Sequence, residues 1–213
     1  MTVASRRERE RQLRRETIIE AAQALFEQKG FERTTVEEIA DEAELGKGTI
    51  YSYFNNKEEI YIAILEKKLD FLEEKMREAV ANSESAVDAL YGLYEAFIKY
   101  HRGRKGFIDT LFLQVDNQIL YRLGGVVGGL KSKSSAWVEI VQSTIQRGID
   151  RGEFSPIDVE RVSKVIIGTI LGLIIQYEMG RIDEDLAGYR DAFFKLILEG
   201  IKGKTGGDAD NCG

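Results

Sequence analysis

The chain of 213 residues holds a single cysteine, Cys212, and a single histidine, His101. One cysteine cannot close an intrachain disulfide, and one of each falls short of a four-ligand His/Cys zinc site. The same scarcity leaves no Ser/His/Asp or Cys/His set for nucleophilic catalysis. Proline occurs once, at Pro156. That suits long uninterrupted helices, because a proline inside a helix costs about 3 kcal/mol. Long apolar runs are missing too. The longest, around residues 165–175, is well short of the ~20 residues a membrane-spanning helix needs. No apolar stretch follows the basic residues near the N-terminus, so no secretory signal is expected. These absences point to a reduced, cytoplasmic compartment and to a protein without cofactor or metal.

An excess of positive charge is also lacking. The formal net charge is −6, which argues against a nonspecific coat for nucleic acid. Its distribution is uneven. Residues 1–15 carry arginines at 6, 7, 9, 11, 14 and 15 against Glu8 and Glu10, a local net of +4. Residues 1–57 as a whole hold ten basic and eleven acidic groups, so any attraction to DNA must be local. The arm reads either as a solvated, partly helical tail or as a segment reaching a minor groove.

What is present is helical periodicity. Leu13, Thr17, Ile18, Ala21, Ala22, Leu25 and Phe26 make one stripe, closed by Lys29 and a left-handed Gly30. Thr34 and Thr35 are N-cap candidates, each with a glutamate three residues on. Val36, Ile39, Ala40 and Ala43 then mark one face of a short helix. Asn56-Lys57-Glu58-Glu59 opens a connecting helix over 57–81, and longer helices follow at about 85–102, 107–122, 132–151, 157–179 and 186–202. Ser155-Pro156 with Asp158 reads as a start signal. The spacing predicts an all-α chain: an N-terminal helix-turn-helix domain over 1–60, a larger helical domain over 61–202 and a disordered tail over 203–213.

The segments 35–43 and 47–54, joined by "ELG", have the lengths of a helix-turn-helix. Ile50 and Phe54 point inward together at 100° per residue. Gly48 and Ser52 lie roughly opposite them, Thr49 and Tyr51 on the shoulders and Lys47 and Tyr53 at the flanks, small or hydroxylated groups and one lysine with no carboxylate. Such a face suits close approach to phosphates and base edges. Spacing alone also allows a small helix whose aromatics pack on a neighbour.

The run "ETIIEAAQALFEQKGFERTTVEEIADEAELGKGTIYSYFNNKEEIY" (16–61) resembles the DNA-binding domain of TetR-family transcriptional regulators. The features that carry it are "FEQKGF", "TTVEEIA", "KGTIYSYF" and "NKEEI", in order and with family spacing. The resemblance implies that Lys47, Gly48, Thr49, Tyr51 and Ser52 enter the major groove and that Thr35, Tyr53 and Lys57 hold phosphates. It also implies a homodimer through helices 157–179 and 186–202, a palindromic double-stranded DNA operator, and release by a small-molecule effector. Two positions depart from the family pattern: Glu44 replaces the usual turn glycine, and Gly46 replaces the usual serine at the start of the recognition helix. Glu44 in a left-handed turn would carry strain of about 1 kcal/mol.

Residues 85–202 resemble the family's ligand-binding and dimerisation domain mainly in helix count and order, together with "RGEFSP" before a helix containing "GTILGLI". Aromatics are frequent here. Tyr94, Phe97, Phe112 and Trp137, with His101 and Gln114 as polar handles, are the candidate lining of an effector pocket, expected to take a lipid-like or aromatic compound. Aromatics at helical spacing are also ordinary core. "GKT" at 203–205 is no phosphate loop, since the first required glycine is Leu198 and the preceding segment is helical. The sequence therefore reads as a DNA-binding repressor rather than an enzyme. A carrier or protein-interaction dimer of the same fold, without a DNA role, is the alternative.

Overall fold

The structure, a computed structural model, describes residues 3–102, 127–182 and 185–201. In order they form α1 (Val3–Lys29), α2 (Val36–Glu42), α3 (Lys47–Tyr51), α4 (Lys57–Ala81), α5 (Ala86–Arg102), α6 (Val127–Asp150), α7 (Val159–Glu178), a short 3-10 turn (Leu186–Tyr189) and α8 (Arg190–Ile201). No strand occurs among the described residues, and the fold is all-α. The helix expected at 107–122 lies outside them, as does the tail.

The described chain divides into two compact units. The first holds α1, α2, α3 and α4 as far as Leu69; the second takes α4 from Asp70, α5, α6 from Lys131, α7 and α8. The division falls inside α4 rather than at 60/61, for a physical reason. Ile60, Ala63 and Ile64 of α4 are buried against Ile18, Ile19 and Ala22 of α1, Ile39 and Ala40 of α2, and Ile50 and Phe54. The first turns of α4 are thus the floor of the small N-terminal core. Burying each of the isoleucine and phenylalanine side chains contributes roughly 1.5–3 kcal/mol, which lets so short a helix as α3 hold its place.

Local signals set the boundaries. Gly30 ends α1 at φ 85, with its N–H donating to the Phe26 carbonyl at 3.0 Å. Thr35, not Thr34, caps α2. Its hydroxyl accepts from the Glu38 N–H, and the Glu38 carboxylate accepts from the Thr35 N–H at 2.8 Å. Thr34 is buried and donates its hydroxyl to the Gly30 carbonyl. α7 starts later than its proline suggests. Asp158 is the cap, its carboxylate accepting from the Arg161 N–H at 3.0 Å, and Pro156 sits in the preceding loop.

In the second unit "RGEFSP" works as a structural corner. Gly152 turns the chain at φ 74, Glu153 accepts from the Ala86 N–H at 2.8 Å, and Arg151 donates to the Glu84 carbonyl at 2.9 Å. The Phe154 ring lies on Gly148, where a Cβ would meet it at 2.3 Å. The end of α6 and the start of α5 are therefore tied by charge-assisted bonds and by a close approach that only glycine permits.

Candidate nucleic-acid interface

The turn between α2 and α3 is made by Glu44 at φ 54, the one non-glycine residue with positive φ among the described residues. Its conformation lets the Leu45 N–H return to the Ala40 carbonyl at 2.9 Å. This closes α2 and turns the chain into Gly46, the N-cap of α3. The strain expected at this position is therefore present. α3 is shorter than the expected 47–54, ending at Tyr51 with Ser52 as its cap. Phe54 still comes inward through a tight turn bonded to the Ile50 carbonyl.

Ile50 and Phe54 are buried, while Tyr51 keeps 47% of its surface exposed. Lys47, Gly48 and Ser52 are exposed beside it, and Thr49 is half-buried. A Cβ added at Gly48 would meet nothing within 4 Å. The face is therefore open and smooth at its centre. Ser52 donates its hydroxyl to the Thr49 carbonyl at 2.6 Å, leaving lone pairs to accept. Tyr53 is half-buried against the core cluster.

Two members of the expected set have prior occupations. The Lys57 ammonium donates to the Phe31 carbonyl at 2.7 Å and the Thr34 carbonyl at 2.8 Å, and lies 4.3 Å from the Phe31 ring centroid. It clamps the α1–α2 loop. The Thr35 hydroxyl is engaged with Glu38 in the capping box. The Glu38 carboxyl is held down at about 2, first by its bond to Lys29 and then by the Thr35 N–H and hydroxyl.

The ion pair that sequence reading missed is Glu37 to Lys47. Glu37 sits below its ordinary carboxylate value and Lys47 above its ordinary ammonium value, each chiefly through this hydrogen bond. The residues are ten apart, on different helices, so no helical spacing rule exposes the pair. Lys47 also lies 5.8 Å from the Tyr51 ring centroid. A carboxylate of α2 thus reaches a face that is free of carboxylates within α3 itself.

The second unit sorts the other candidates. Tyr94 is fully buried and donates to the Leu186 carbonyl at 2.7 Å, in a ring cluster with Phe193 and Phe194. Burial pushes its phenol up. Phe97 is buried edge-on to Trp137 at 5.4 Å, and His101 is buried edge-on to Tyr177 at 5.7 Å. Where α5, α6, α7 and α8 meet at Leu90, Phe97, Val141, Ile170 and Phe194, the residual cavity is about 10 Å³, the room of one water. Tyr94 and Phe97 are thus core residues in this structure. Trp137 differs: it is 4% exposed, and its indole N–H meets no hydrogen-bond partner among the described residues. Phe112 and Gln114 lie outside the described residues. Among the described residues no helix is long and apolar enough to cross a membrane.

Known proteins give this geometry a context. The family model for bacterial regulatory proteins of the tetR family matches residues 18–64. The transcriptional repressor KstR2 of Rhodococcus jostii is 30% identical over 194 residues, 88% of this chain and 91% of its own. The fatty acid metabolism regulator protein of Bacillus subtilis is 26% identical, covering 88% of this chain and 95% of its own. Among solved structures, FadR of Bacillus subtilis in complex with stearoyl-CoA superposes at a TM-score of 0.72 with 24% identity, over 87% of this chain and 98% of that one. These relatives are named as regulators, not enzymes. With an open α3 face on a helix-turn-helix and this similarity along most of its length, the chain belongs to the TetR family of bacterial regulators and is a DNA-binding transcriptional regulator.

Proposed function

We propose that the protein is a homodimeric repressor that reads a palindromic operator with α3 and leaves it when a small apolar effector binds the second unit. The observation that carries the DNA half is the open face of α3. Lys47, Gly48, Thr49, Tyr51 and Ser52 supply donors, acceptors and close approach, over a core that needs none of them. Lys47 and Tyr51 are the members assigned to phosphates and base edges. Tyr53 serves from the flank, and Thr35 and Lys57 act by holding α2 and its loop in place. Tyr51→Ala should weaken operator binding by about 1–3 kcal/mol while thermal stability stays put, because the ring is half-exposed. A fall in stability with unchanged binding would make Tyr51 a packing residue.

The effector half is carried by Trp137, a buried indole donor without a hydrogen-bond partner among the described residues. Such a group costs roughly 1–3 kcal/mol when left unsatisfied. An apolar ligand with one acceptor oxygen, such as an acyl or sterol-like carbonyl compound, would satisfy it. The fatty acid metabolism regulator protein and the FadR complex with stearoyl-CoA among the similar proteins agree with the acyl class. Trp137 is the only tryptophan, so its fluorescence is a direct probe. Acyl thioesters should change it saturably and release DNA in parallel; DNA release with silent fluorescence would move the site away from Trp137.

The dimer is supported by a face of α7 and α8 that the single chain leaves bare. Val165 and Leu196 are 57% and 77% exposed, and a Cβ at Gly168, Gly172 or Gly200 would meet nothing within 4 Å. Apolar and small residues aligned on an open face suit close packing against a second copy. DNA-bound action places the protein in the cytoplasm.

A further inference from the structure

The arginine-rich arm is not an irregular tail. Backbone residues from Val3 onward continue α1 as one helix to Lys29. Residues 6–14 are exposed on every side, and the buried positions of α1 begin only at Ile18. About three turns of helix therefore stand clear of the N-terminal core, solvent-exposed from residue 6 to residue 14 and held by continuity with α1 and by pairs such as Arg6 to Glu10 at 3.1 Å.

The arginines on those turns are sorted. At 100° per residue Arg7, Arg11 and Arg14 fall within about 60° of arc, with Arg15 at one margin. Glu10 borders the other margin, where it is paired with Arg6, Glu8 lies beyond Arg15, and Glu16 is on the opposite side. Arg7, Arg11 and Arg14 have no ion-pair partner among the described residues, whereas Arg6 is paired with Glu10. The stripe also has an anchor. The Arg15 guanidinium lies 5.2 Å from the ring centroid of Phe54, just beyond the C-terminal end of α3. The base of the stripe is thus fixed beside the reading helix.

Resting on the DNA-reading proposal above, we infer that Arg7, Arg11 and Arg14 form a helical phosphate clamp that binds the backbone of duplex DNA flanking each half-site. Their span along the axis is about 10 Å at 1.5 Å per residue. Phosphates of one strand recur about every 3.4 Å of duplex axis, so the stripe covers about three of them. A helix is roughly 10–12 Å across with its side chains, and the minor groove is only about 6 Å wide. The arm therefore lies along the backbone instead of entering that groove, which replaces the minor-groove reading of the sequence. It acts without regard to base sequence. It also accounts for how a chain of net charge −6 holds a polyanion: charge is gathered on one short stripe next to α3.

The test is the salt dependence of full-length protein on a labelled random-sequence duplex of about 40 base pairs, long enough for two half-sites one turn apart with flanks. Each lost phosphate contact removes about 0.9 from the slope of log K against log salt. R7Q/R11Q/R14Q should lower that slope by about 2.7 per protomer and about 5 per dimer, with helicity by circular dichroism unchanged. R7K/R11K/R14K, which keeps the charges, should retain the wild-type slope. A wild-type slope in the glutamine variant overturns the clamp while leaving operator reading by α3 intact. Glutamine-sensitive binding to phosphatidylglycerol vesicles alongside that unchanged slope would give the stripe to an anionic membrane surface. Failure of the wild-type protein to bind any duplex would overturn both proposals.

Discussion

Lys47 shows how much a single residue's role depends on its partner across the turn. As a sequence letter it opens a carboxylate-free helix and reads as a free cation for phosphate. In the folded chain it is bonded to Glu37, so on the proposed interface a phosphate would have to displace a carboxylate to gain that lysine. Glu37→Gln removes both the competitor and a negative charge beside the duplex, and should tighten operator binding about two- to five-fold, the range of an exposed pair. Anisotropy titrations at fixed salt measure it; unchanged or weaker binding would mean that Lys47 does not face the DNA. Lys57 makes the complementary point. A lysine at the start of a helix is assigned to phosphates by family resemblance. Here its donors are already shared among the carbonyls of the loop before α2. Neither partnership could be seen in the sequence, because both join residues ten or more positions apart on different elements.

Elements were more legible than partners. The stripe of α1, the left-handed Gly30, the two short helices and the connecting α4 are each visible in the spacing of Ile, Leu, Ala and Phe. The same burial that the spacing implies is what holds them. Boundaries were less so: α3 stops at Tyr51 and α7 waits for Asp158, since caps are decided by which side chain reaches an N–H, not by composition. The turn was read correctly in its strain. Glu44 stands at φ 54, where a side chain costs about 1–2 kcal/mol and glycine returns part of that as unfolded-state entropy. Glu44→Gly should therefore raise Tm by roughly 1–4 °C, the shift that a net 0.5–1 kcal/mol gives in a chain of this size. Scanning calorimetry would show it. A lower Tm would mean that the Glu44 side chain contributes more than its backbone costs.

At the scale of the whole molecule, the two units carry different parts of the account. The N-terminal unit presents the open α3 face over its core and a cationic stripe on the helical turns that precede that core. The second unit has a core closed tightly around Tyr94 and Phe97, one unsatisfied indole, and a bare face on α7 and α8. Which aromatics would line a pocket could not be read from composition, because an aromatic at helical spacing has the same pattern whether it meets a ligand or a neighbour. Tyr94 is bonded to the Leu186 carbonyl, a contact 92 positions away that no local pattern holds. Reading a two-fold symmetric site needs two α3 helices about one duplex turn apart, so the proposed dimer and the proposed operator stand or fall together. The most direct measurement is selection from a random duplex pool with the full-length protein, stripped of co-purified ligand by denaturation and refolding. The account predicts enrichment of one two-fold symmetric site whose half-sites lie about one helical turn apart. Retention of DNA without any enriched sequence, or no retention at low salt, would contradict it.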